Sequence, residues 1–465
     1  MIKKRNLKRF FAPRSVAVVG ASSTRGRPGH TVIENIRANG YDGKIYPVNP
    51  RGGRMMGMKV YKTIEDLPSG IDLAIVILPA AATPQAVRDC GVKKIGSIVL
   101  VAGGFAEVDH AGEDLQEELE RAAQETGVRV LGPNTAGHIS TPANFTSSFF
   151  PLGAIPKGPI SYVAQTGNFT GAMMKHIMSA ENYGVARCIG LGNTVDIDET
   201  DVFEFLADDP YTKTIFFYLE SLRRPREFVE IAKRVAPKKP VIILKGGATA
   251  DGAKAALSHT ASMGSDDRIL DGALRQAGVV RIDEFSHLFL AAKAAAPMPV
   301  PAGNRVGFVS PSGAFIVHIS DLCRQRLSLE FPSLTDKTMD RLTDISPPFI
   351  RLSNPVDIFP SATVHGMEYA YREAMEAVLK DPNVDAVVSI MILTRELGMP
   401  SLDFIPELAR KHPKKPVYIS FSGDADCNAE AKAFLEPKGV PTFPLIEDAF
   451  KALDILARAR QSLKN

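Results

Sequence analysis

Three times along this sequence, short apolar runs alternate with longer amphipathic stretches, and that alternation limits what the chain can fold into. Ser15–Gly20, Lys44–Val48, Leu73–Leu78, Ser97–Ala102 and Val128–Leu131 read as strands, with helical patterns such as Thr31–Ala38 and Gly112–Glu125 between them. Strand and helix in alternation imply a parallel sheet with right-handed crossovers, covered by helices. After the Pro/Gly-rich stretch PLGAIPKGP (151–159) the pattern resumes in Ile160–Ala164, Ala186–Gly190, Lys213–Leu219 and Val241–Leu244, with helices such as Asp201–Leu206 and Arg226–Val235. After APMPVPAGN (296–304) it resumes again in Val306–Ser310, Ala386–Ile392, Val417–Phe421 and Thr442–Pro444, and a last helix covers about Ile446–Ser462. The expectation is an α/β chain of three doubly wound domains, 1–150, 151–300 and 301–465. Ligands of such sheets bind beyond the carboxyl ends of the strands.

Composition narrows the function classes. Lys and Arg number 55 against 52 Asp and Glu, a net of +3, a balance too even to make nucleic acid an expected partner. Cys90, Cys188, Cys323 and Cys427 lie far apart with no CxxC, which argues against a zinc site or a disulfide framework and suits a reducing cytoplasm. No metal site is expected on this chain. The segment MIKKRNLKRFFAP is basic but lacks the apolar stretch of a signal peptide, and no run is long and apolar enough to span a membrane.

The first strand is followed by GASSTRGRPGH (20–30), a small-residue turn leading into a helix whose N-terminus offers amides and a positive dipole to a phosphate. Its glycines fall at Gly20, Gly26 and Gly29 rather than in the compact G-x-G-x-x-G. The second strand ends in Val48-Asn49-Pro50 with Arg51 and Arg54 after it, where an NAD site wants an acidic residue for the ribose. Arg25, Arg27, Lys44 and Arg51 suit a ligand with additional phosphate, such as the 3′-phosphate of CoA; NADP is the competing reading.

The second unit contains KGGATADGAKAALSHTASMGSDD (245–267), a segment of small residues with a strand before it and a helix after it. His259 lies in it, and burial is a poor explanation for a histidine in such surroundings. Imidazole titrates near neutrality and its free nitrogen is a good nucleophile toward phosphorus. AQTGNFTGA (164–172) follows a strand and begins a helix, so Gln165, Thr166, Gly167 and Asn168 would present backbone amides to phosphate. The strand IFFYLES ends in Glu220. That carboxylate either orients a histidine ring or is simply the first charged residue after a buried strand.

Taken together these segments resemble the NDP-forming acyl-CoA synthetases, the superfamily of succinyl-CoA synthetase. SVAVVGAS…GKIYPVNP with Pro79, GGFAEV (103–108) and LGPNTAG (131–137) resemble its Rossmann-like CoA-binding domain, with Thr135 where the family has a cysteine. Ser258–Gly264 resembles its phosphohistidine loop, Tyr218–Ser221 the strand whose glutamate positions that histidine, and Ala164–Gly167 its phosphate loop. RVGFVSPSGA (305–314) and SNPVDIF (353–359) resemble a second flavodoxin-like domain after the first. Ser310-Pro311-Ser312-Gly313 departs from the family's usual run, so packing or subunit contact is as fitting there as phosphate.

The resemblance implies that Gly20, Ser22, Lys44, Asn49 and Pro79 lie along CoA, that His259 carries the phosphate and that Glu220 orients it. It implies an acid–CoA ligase making acyl-CoA, ADP and phosphate from acid, CoA and ATP. The three units leave no room for the ~200-residue ATP-grasp module that binds ATP/ADP and Mg²⁺. The chain is therefore expected to be an α subunit with an ATP-grasp β partner, for example as α2β2. A non-catalytic CoA-binding regulator and an NADP oxidoreductase are the alternatives. The acyl group stays open.

Overall fold

The computed structural model describes residues 7–252, 254–255, 267–348, 350–396 and 398–461, which form two compact units, up to Asp283 and from Glu284 onward. The first unit holds two large sheets and a two-stranded ribbon, Arg54–Met55 with Met58–Lys59. In spatial order the first sheet is Lys44–Val48, Ser15–Val19, Leu73–Val76, Ser97–Leu100 and Arg129–Leu131, all parallel. Four of its strands are apolar and buried at nearly every position, because helices cover both faces. Chain order 2-1-3-4-5 places the reversal of winding between Ser15–Val19 and Leu73–Val76, the point at which such sheets bind ligands beyond their carboxyl ends.

The second sheet repeats this plan with Val280–Ile282, Val241–Lys245, Thr214–Leu219, Lys157–Ala164 and Val185–Gly190. Its reversal lies between Lys157–Ala164 and Thr214–Leu219. Two short strands, His138–Ser140 and Phe145–Thr146, extend its edge in antiparallel fashion. No alternation of apolar and polar residues marks them, since His138, Ser140, Thr146 and Ser147 are polar yet buried. They are held by bonds instead: His138 joins the Phe10 carbonyl (2.6 Å) and the Ser147 hydroxyl (2.8 Å). Burial pushes the His138 pKa down to about 4, so the ring is neutral.

The second unit has one sheet, Val356–Asp357, Val306–Ser310, Ala386–Leu393, Val417–Gly423 and Thr442–Phe443, with the same order and all parallel. Asn354 of the NPVD segment explains its presence there. Its side chain accepts the Phe308 N–H (3.1 Å) and donates to the Val306 and Pro332 carbonyls, fixing the edge of the sheet. The helix Phe285–Ala295 packs on the helix Ile446–Gln461 within this unit, and its Lys293 forms a buried ion pair with Glu436 at 2.7 Å. Cys90, Cys188, Cys323 and Cys427 are buried singly. Among the described residues no helix is long and apolar enough to cross a membrane.

Candidate functional site

The glycine turn of the first sheet is built by close backbone approach. Gly20 has φ +92°, and a Cβ there would lie 2.1 Å from the Ile77 carbonyl oxygen. A Cβ on Gly29 would lie 2.2 Å from the Gly20 carbonyl oxygen, so the helix Pro28–Ala38 starts directly on the turn. The displaced spacing thus has a physical reason: the first and last glycines touch each other. Asn49 ties the next strand end to this turn, donating to the Ala21 carbonyl (2.8 Å) and accepting the Arg51 N–H (3.0 Å). The Ser22 hydroxyl accepts the Thr24 N–H at 3.1 Å.

Gly20, Ser22, Asn49 and Pro79 therefore gather at the carboxyl ends of the first three strands, where the sheet reverses. Arg25 stands on the exposed turn beside them, its side chain 89% accessible. Lys44 does not join the group. It opens its strand, paired in register with Ser15, and so lies at the opposite end of that strand, roughly 16 Å of chain away from Asn49. Its basic charge suits the ligand, but a residue that opens a parallel strand lies away from the end where ligands bind.

At the reversal of the second sheet, Gln165 and Glu220 meet. The Gln165 side-chain oxygen accepts the N–H groups of Glu220 (2.7 Å) and Ser221 (2.9 Å), and its amide donates to the Ser221 carbonyl (3.0 Å). Its side chain is thereby committed to shaping the Glu220 turn rather than left for an anion. Glu220 is 9% exposed, and its carboxylate accepts the Tyr218 hydroxyl at 3.2 Å. Thr166 caps a 3₁₀ turn, Gly167–Thr170, accepting the Asn168 N–H, before the short helix Ala172–His176. The amides there belong to a tight turn rather than to a regular helix start, because Gly171 interrupts the winding.

Lys245 carried no signal beyond its place after an apolar run. It is 8% exposed and donates to the Glu220 carbonyl (2.6 Å) and to the Gly246 carbonyl. Burial lowers its pKa. It is paired in register with Leu219, so the chain leaves this strand beside Glu220. His259 itself lies outside the described residues. The chain is described again from Asp267, which Arg281 holds at 2.9 Å.

Strand ends of both sheets of this unit converge on a cavity of about 300 Å³. Gln165, Thr166, Gly167 and Asn168 line one side, Asn134, Thr135 and Asn193 another, and Phe149 and Phe150 a third. The loops that meet there touch backbone to backbone: a Cβ on Gly192 would lie 2.0 Å from the Pro133 carbonyl oxygen, and Asn193 N–H donates to that oxygen at 2.9 Å. Asn134 donates to Asn193, which donates in turn to Glu107 (2.6 Å) and Gln116. Thr135 bonds the Gly190 carbonyl at 2.6 Å and accepts the Gly137 N–H, a structural use of that position.

Residues 14–140 match the family model of a CoA binding domain, and residues 157–295 that of a succinyl-CoA ligase like flavodoxin domain. The chain is 33% identical over 97% of its length to the acetate–CoA ligase [ADP-forming] I subunit alpha of Pyrococcus furiosus, covering 97% of that protein. The chain belongs to the ADP-forming acyl-CoA synthetase family. Over nearly its whole length it aligns with the α subunits of that family. Acetate–CoA ligase [ADP-forming] II of Archaeoglobus fulgidus is 36% identical over 96% of the chain, which spans 66% of that longer relative. Among solved structures, a dinucleotide-forming acetyl-coenzyme A synthetase 1 of Ca. Korarchaeum cryptofilum superposes with a TM-score of 0.89 at 30% identity, covering 99% of this chain and 98% of the other. That protein was solved in complex with phosphate and ADP. The regulator and oxidoreductase alternatives gain no support from these relatives.

Proposed function

We propose that this chain, together with a nucleotide-binding partner subunit, interconverts carboxylic acid, CoA and ATP with acyl-CoA, ADP and phosphate through a phosphate on His259. The observation that carries this reading is the convergence on one cavity of loops from the CoA-binding sheet and from the sheet that ends in Glu220. Gly20, Ser22, Asn49 and Pro79 take the CoA, with the exposed Arg25, 3.8 Å from Glu34, meeting its outer phosphate, and the approach of Gly29 to Gly20 leaves the turn backbone bare enough to suit a phosphate group. CoA supplies the thiol that leaves and returns.

From the acyl-CoA side, a phosphate oxygen held by Thr166, Gly167 and Asn168 attacks the thioester carbonyl. The C–S bond breaks and CoA departs as the thiol, leaving an acyl phosphate. An imidazole nitrogen of His259 then attacks phosphorus, and the bond to the carboxylate oxygen breaks, releasing the acid. Glu220 accepts the N–H of the other ring nitrogen, which keeps the attacking nitrogen unprotonated and its ring aligned. ADP on the partner, with Mg²⁺, takes the phosphoryl group and restores the imidazole. Dividing the transfer in this way predicts ping-pong kinetics.

The relatives include α subunits that this chain matches nearly end to end and longer ligases that it matches over about two thirds. We assign the nucleotide to an ATP-grasp β partner, in an α2β2 or similar complex in the cytoplasm, and the CoA, phosphohistidine and third-sheet functions to residues 1–150, 151–300 and 301–465. The test is to incubate the complex with γ-labelled ATP and Mg²⁺. The expected label sits on this chain, survives base and is lost in acid, and His259→Ala removes it. A label that persists in His259→Ala overturns the assignment, with His176 next to be tested. Full ligase activity from this chain alone overturns the need for a partner.

A further inference from the structure

We propose that Phe149 and Phe150 form a rigid apolar wall against the acyl tail of the acid, and that this wall disfavours bulky tails. This rests on reading the cavity as the acyl and phosphate site. At about 300 Å³ it must accommodate a phosphate beside the turn Thr166–Asn168 together with the acyl group. The polar side chains lie toward that turn and toward Asn134 and Asn193, so the acyl tail is left facing the two phenylalanines.

The wall has little freedom to retreat. The two rings stack on each other with centroids 4.9 Å apart and planes 22° apart. The Phe150 ring lies so close over Gly171 that a Cβ there would come within 2.7 Å of it. Phe149 packs against the main core of the unit. The backbone beneath is clamped by Asn35, which is 2% exposed and comes from the helix that starts at the glycine turn. Its amide donates to the Ser148 carbonyl (2.8 Å) and the Phe150 carbonyl (2.5 Å), and its oxygen accepts the N–H groups of Leu152 (3.1 Å) and Gly153 (3.3 Å). Ser148 adds a bond to the Thr170 carbonyl at 2.7 Å and accepts the Phe150 N–H.

One asparagine thus satisfies four backbone groups of a connecting segment that would otherwise be soft. Such support is what a site needs if shape is to discriminate between substrates. A fixed apolar wall rejects bulk by steric clash, whereas a shorter acid loses only the contacts of the missing methylenes, roughly 10–200-fold in kcat/KM each.

The test is ATP- and CoA-dependent ligation by the complex of this chain with its partner, using acetate, butyrate and phenylacetate. The parent should favour acetate and butyrate over phenylacetate. Phe149→Ala and Phe150→Ala should raise the kcat/KM ratio of phenylacetate to acetate by roughly tenfold or more, the scale of a relieved clash in an apolar pocket. Phe149→Leu and Phe150→Leu, which disturb packing less, should shift the ratio in the same direction. Parent activity on phenylacetate equal to that on acetate, or an unchanged ratio in all four variants, overturns the wall while leaving the ligase reading intact. Failure of the parent complex to ligate any acid overturns that reading and the wall with it.

Discussion

Glu199 is a buried carboxyl whose charge the fold opposes, and Glu199→Gln measures by how much. It occupies the first position of the helix Glu199–Asp208 and is 0% exposed. Its Oε1 accepts the Arg223 N–H at 2.8 Å, while Oε2 has no hydrogen-bond partner among the described residues. Arg224, the nearby cation, is engaged by Asp198 and Asp201. Burial, and after it the charge of Asp198, push the Glu199 pKa from 4.5 up to about 7. Because the folded state holds this proton more tightly than the unfolded chain does, the stability it brings is fully present below the unfolded pKa. It is lost as pH rises through the folded one, which sets a window from pH 4.5 to about 7. A shift of that size corresponds to at most about 3 kcal/mol.

Glutamine keeps the shape and cannot ionise. At pH 8 the variant should therefore be more stable than the parent, by up to roughly 6 °C in Tm for a unit of this size. Below pH 5 the gain should vanish. Differential scanning calorimetry of both proteins at the two pH values provides the comparison. A variant less stable at pH 8, or a difference independent of pH, would refute the view that Glu199 is held against its charge.

Other substitutions probe the chemistry. Glu220→Gln should leave the fold intact yet slow phosphorylation of His259 by roughly 10²–10⁴, read from the rate of base-stable labelling. Lys245→Met removes both donors that fix the Glu220 and Gly246 carbonyls; labelling should slow by roughly tenfold or more, while calorimetry shows CoA affinity unchanged. CoA should bind more tightly than dephospho-CoA, NAD or NADP and weaken with added salt, because exposed charges such as Arg25 contribute through a screened interaction. Arg25→Ala should flatten that salt dependence, and Lys44→Ala should not.

The strand and helix order was legible because local pattern determines it. Buried parallel strands must be apolar on both faces, and the helices between them must be amphipathic, so every strand read from the sequence has a counterpart within a few residues. The motifs at the strand ends were legible for a related reason: glycines, a terminal carboxylate and a proline mark where a chain must turn. What each side chain then does depends on partners far away in sequence. Asn35 reads as an ordinary helix residue and becomes the clamp on segment 148–153 only when two sheets meet. Gln165 reads as a backbone amide for phosphate, whereas its N–H donates to the Tyr218 carbonyl and its side chain shapes the Glu220 turn. Lys44 has a suitable charge, but a strand has two ends and charge does not say which one faces the crevice. Glu199 looks like a solvated residue in an acidic helix start, yet packing of the Arg223 turn over it removes the water that would have stabilised its charge. Periodicity and turn chemistry act over a few residues and so survive in one dimension; burial, hydrogen-bond partners and the shape of a cavity arise only from segments brought together by folding.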